Sequence, residues 1–131
     1  MTRWFCTFAV LVHLVVAVVH GGAHKELGVE LNAWQTIYVT VVILVAPLVA
    51  AVLLWTQRAR LGFLLLVLSM FGSLIFGVYY HYVAVSPDYV SHLPPGDAQG
   101  LFRTTALLLL LTELLGLVAG LLGLRGTRAE N

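Results

Sequence analysis

Apolar residues fall into four long blocks, about Trp4–Gly21, Trp34–Thr56, Leu61–Ala84 and Leu101–Leu124, separated by short polar stretches. At 1.5 Å of rise per residue, each block as a helix is long enough to cross a hydrocarbon core of about 30 Å. None alternates apolar with polar residues as a barrel strand does, and a helix satisfies its own backbone in lipid. The pattern predicts an all-α fold: one membrane domain over residues 1–131, built as a four-helix transmembrane bundle. Its outer loops are expected at 22–33 and 85–100, and a tight connection at Gln57–Arg60 on the other side.

The polar positions inside the blocks are few and patterned. His13, His20 and His24 are spaced seven and four apart, which at about 100° per residue puts all three on one stripe of the first helix. In the third block Ser69, Ser73 and Gly77 recur every four residues and the next step is His81. Small residues at that spacing let helices approach closely. Gly116 and Gly120 repeat the device in the fourth block, and Glu113 lies on the Gly120 face, so it is expected to point into the bundle. Pro47, near the centre of the second block, frees a backbone carbonyl and permits a kink.

Composition fixes the solvent. Of 131 residues 60% are hydrophobic and 10% charged, against about 25% charged in soluble domains, so most of the surface must face lipid. The charges are also sorted. Arg3, Arg58, Arg60, Arg125 and Arg128 fall on one side, whereas Lys25 and Arg103 share the other with Glu26, Glu30, Asp88 and Asp97. Basic residues mark the cytoplasmic side, so both termini are expected in the cytoplasm of a multi-pass protein of the bacterial inner membrane. Trp4 and Trp55 would anchor the inner interface and Trp34 the outer one. Arg3, the apolar stretch and Gly21-Gly22-Ala23 also resemble a cleavable signal peptide. His13 in mid-stretch is odd for a disposable leader, so the first helix is expected to be retained.

Several functions find no support. A net charge of +1 without a basic patch argues against nucleic-acid binding. No phosphate-binding loop, dinucleotide fingerprint or nucleophile elbow occurs, and one cysteine, Cys6, excludes an intramolecular disulfide.

The histidines carry the remaining chemistry. His20 and His24 at i and i+4 present two nitrogens on one face, a spacing that suits zinc, copper or iron, and His81 arrives at similar depth from another helix. Glu26, Glu30, Asp88 and His92 lie nearby in the outer loops. The candidate metal set is therefore His20, His24, His81, Glu113 and His13. Alternatively His20 and His81 are the axial pair of a b-type haem, although no C-x-x-C-H attachment motif is present. His13 and Glu113, at similar mid-membrane depth, are expected to face each other, because a buried carboxylate needs a partner.

Three functions follow: metal or haem binding for electron transfer or membrane redox chemistry; an accessory subunit or assembly factor of a larger membrane complex, or a homo-oligomer; and a proton-coupled carrier or channel using His13 and Glu113. Whether the chain is an enzyme is left open.

Overall fold

The computed structural model describes residues 2–129, with side chains through Thr127; the side chain of Arg128, counted above in the charge asymmetry, lies outside the described residues. Four helices are long and apolar enough to span a membrane: α1 (Thr2–Glu26), α2 (Ala33–Leu54), α3 (Ala59–Val83) and α4 (Gln99–Ala129). No strand occurs among the described residues. α4 packs on α1 and α3, and α3 on α2, while α1 meets α2 mainly through Ala46–Leu54. Residues such as Val15, Val18 and Leu68 turn outward from this bundle, which suggests lipid contact.

Helix boundaries differ from the apolar blocks at their ends. α1 continues through Gly21 and Gly22 to Glu26, so His24 is helical rather than in a loop. It stops at Gly28, whose φ of 65° reverses the chain at a conformation where a side chain is strained. α2 starts on a reciprocal cap, with Asn32 Oδ1 accepting from Gln35 N and Gln35 Oε1 accepting from Asn32 N, both at 2.9 Å.

Two helices loosen into π turns. In α2 this spans Val39–Val45, just before Pro47, and in α3 it spans Tyr79–Val83, around His81. Ala46 N bonds the carbonyl of Val41, and Ala84 N that of Tyr79 at 2.7 Å, each five residues back.

Close approach is achieved by the small residues. A Cβ on Gly62 would lie 2.8 Å from the Leu54 nitrogen and 3.0 Å from the Ala50 oxygen, so α2 and α3 approach there backbone to backbone. Gly116 and Gly120 of α4 lie against Met70 and Val67 of α3. Cys6, Val10, Leu54, Phe63, Leu66 and Met70 form the core of this half.

Thr2, Arg3 and Thr127 line one recess with Trp55, so both ends of the described chain meet at one end of the bundle. There Trp4 and Trp55 pack edge to face, centroids 4.5 Å apart, and Trp55 Nε1 donates to Thr7 Oγ1 at 3.0 Å. At the other end Ala23, Leu27, Val29, Leu93, Ala98 and Phe102 form a second small core. It fastens the loop before α4 onto the bundle, with Arg103 Nε donating to the Val90 carbonyl at 2.9 Å and Gln99 Nε2 to that of Pro94 at 2.8 Å.

Candidate metal centre

Under that second core, three imidazoles meet. His20 and His24 project from the last turns of α1 and His81 from the π turn of α3, and each offers a nitrogen such that all three lie within 4.8 Å of one another. The rings pack edge to face, His20 to His24 at 4.8 Å and His20 to His81 at 4.9 Å between centroids, with Phe102 against all three. His20 and His81 are buried and His24 partly so. A histidine group so placed could bind a metal ion.

The hydrogen bonds decide which nitrogen each ring offers. His24 Nδ1 meets the Val29 carbonyl at 3.2 Å, and His81 Nδ1 the Asp88 carbonyl at 3.2 Å. A carbonyl only accepts, so both Nδ1 atoms carry the proton and both Nε2 atoms carry the lone pair. His20 Nδ1 meets Thr105 Oγ1 at 2.8 Å. That hydroxyl donates within α4 to the Leu101 carbonyl at 2.7 Å, so it too accepts. All three rings thus present bare Nε2 atoms, held in the tautomer that metal-ligating histidines adopt when their other nitrogen donates to a neighbour.

One distance follows directly. His20 Nε2 and His24 Nε2 are 3.2 Å apart, with no proton left between two neutral rings. Such a pair could share a cation, either a proton or a metal. Ligands on a tetrahedral ion with bonds of about 2.0–2.1 Å are about 3.3 Å apart, close to the spacing found. His81 is the outlying member.

Local sequence explains the support. The reversal at Gly28 returns Val29 to the end of α1, where Val29 N bonds the His24 carbonyl at 2.9 Å and Val29 O takes the ring proton. The loop after α3 does the same for His81, whose own carbonyl accepts from Val90 N at 3.0 Å while Asp88 holds the ring. The Asp88 side chain is buried too, with Oδ1 3.9 Å from His24 Nδ1. Burial pushes its carboxyl above the usual range, and the His24 ring, when it carries a second proton, draws it partway back.

A cavity of about 290 Å³ adjoins the triad. His20, His24, His81, Asp88 and Glu113 line its polar part. Glu113 is only 3% exposed and sits across from Gly77, where an added Cβ would be 3.7 Å from its Oε2. It makes no hydrogen bond or ion pair with any described residue, so its oxygens face the cavity.

The expected contact between His13 and Glu113 is not formed. His13 Nε2 donates to the Ile43 carbonyl at 3.2 Å and Nδ1 lies 3.4 Å from Thr112 Oγ1. One residue is about 100° of helix, so Thr112 faces α1 at this level while Glu113 turns toward α3. His13 belongs neither to the triad nor to the cavity. Its carbonyl partner has a cause in sequence: Ile43 is four residues before Pro47, whose missing N–H would otherwise have bonded it. The mid-chain proline thus serves a buried histidine.

Of the loop residues expected nearby, only Asp88 enters the site. Glu26, Glu30 and His92 are exposed, and His92 stacks on Tyr89. Thr105 had no sequence signal, because a lone threonine in an apolar helix is ordinarily bonded to its own backbone. Compared with known proteins, the chain matches no family model, and neither a curated protein nor a solved structure matches it significantly.

Proposed function

We propose that this is a multi-pass membrane protein that binds a transition-metal ion through Nε2 of His20, His24 and His81, at the end of the bundle that faces away from the cytoplasm. The observation that carries the reading is the shared hydrogen-bond pattern: each Nδ1 lies against an oxygen acceptor, and the Nε2 atoms of His20 and His24 stand 3.2 Å apart. Imidazole ligands suit zinc, copper or iron. Three nitrogens beside a cavity leave a coordination position open, the arrangement of a catalytic or transport site rather than a closed structural one. The sorting of arginines toward Trp4 and Trp55 supports the orientation.

A bare ion suits the packing better than a haem. Axial imidazoles face each other across a macrocycle, whereas the His20 and His81 rings touch edge to face with Phe102 beside them. His13, fully bonded elsewhere, and Glu113, across the cavity, are left out of the ligand set.

Metal content of the protein purified in mild detergent tests this. After reconstitution with zinc, copper or iron, about one equivalent is expected, with affinity falling on acidification because protons compete for the ligand nitrogens. His20→Ala and His81→Ala should lose the ion and His92→Ala should keep it. No stoichiometric uptake of any of the three metals would overturn the reading.

A further inference from the structure

The cavity beside the triad has two unlike parts. Its polar part holds acceptors: the three Nε2 atoms, Asp88 and Glu113. The remaining wall is apolar, formed by Val18, Val39, Leu44, Phe76 and Leu109. Val18 is 70% exposed and Gly21 is exposed as well, so the cavity reaches the outer face of the bundle beside α1. The gap lies where α1 and α2 diverge, since these helices meet mainly through Ala46–Leu54. The π turns of α2 and α3 both lie alongside, contributing Val39, Ile43, Leu44 and His81 to the lining. Such turns are frequent at functional sites.

Glu113 is the unexplained group. A carboxylate this buried is costly in lipid unless something bonds it, and no described residue does. Whether ionised or not, a carboxyl keeps oxygens that accept hydrogen bonds, so a partner that donates would satisfy it.

We propose that the cavity binds a membrane-dissolved amphiphile whose head donates a hydrogen bond, a hydroxyl or a protonated amine, to Glu113. Its chain leaves past Val18 and Gly21 into the bilayer. The volume fits this division: about 290 Å³ is at the lower end of ligand pockets, about 300 Å³ and upward, so it holds a head and the first carbons while the rest lies in lipid. The site stands on Glu113 and the lateral opening, and does not require that the triad hold an ion.

The test is photolabelling of the full chain in nanodiscs with three diazirine-bearing hexadecyl probes, an alcohol, an amine and a methyl ether. The alcohol, the amine or both should label α1 and α2 near Val18 and Val39, and the ether should label about tenfold less, the loss expected for one hydrogen bond donated to the carboxyl. Glu113→Leu should bring the donor probes down to the level of the ether. Val18→Trp, a lipid-facing change that narrows the opening without touching the core, should abolish labelling while metal uptake is unchanged. Equal labelling by ether and donor probes, or labelling indifferent to Val18→Trp, would overturn the proposal. Labelling that persists in His20→Ala is expected, and separates this site from the metal reading.

Discussion

Thr105 does for His20 what two backbone carbonyls do for its neighbours. Its hydroxyl is turned into an acceptor by its own bond to the Leu101 carbonyl, and so fixes the His20 proton on Nδ1. Partners of this kind typically change metal affinity 10–100-fold. Thr105→Val, which keeps the shape and loses the oxygen, is therefore expected to weaken metal binding by about 10–100-fold, while Thr105→Ser restores most of it. Equal affinities for the valine and serine variants, measured by competition with a chelator, would show that the hydroxyl has no positioning role. The histidines themselves were legible in the sequence, since their spacing sets them on one stripe. Thr105 was not, because it acts through a hydroxyl of a common kind; Asp88 was expected nearby, but not that its backbone carbonyl, which every residue carries, would hold the His81 ring.

At the scale of the element, the apolar blocks foretold the four helices but not the internal hydrogen-bond register. The π turns lie beside the cavity, and no periodicity records them. The same limit explains the His13–Glu113 expectation: depth was readable from position in the block, whereas choosing between Thr112 and Glu113 needs the rotation of α4 about its axis. The contacts of Gly116 and Gly120, by contrast, followed from spacing, whereas that of Gly62 had no such signal. Gly62→Ala would press a methyl against the backbone of Leu54 and Ala50, and should destabilise the bundle by about 1–3 kcal/mol, as overpacking does. Gly22→Ala has open space around it and should cost nothing. Thermal unfolding in one detergent, read for both variants, checks the contrast; equal melting temperatures would count against the close crossing of α2 and α3.

Across the whole molecule the chemistry is sorted by end. Trp4, Trp55 and both ends of the described chain occupy one end, and the three imidazoles, Asp88 and the ordered loop occupy the other. The sorting of arginines predicts which end faces the cytoplasm. Ser91→Cys should therefore react with a membrane-impermeant maleimide on intact cells, and Arg58→Cys only after the membrane is opened; the reverse order would invert the topology. This experiment has a quiet background already. Cys6 is fully enclosed in the core, so the native thiol is silent to aqueous reagents, and any single cysteine placed elsewhere reports on its own surroundings without first removing another.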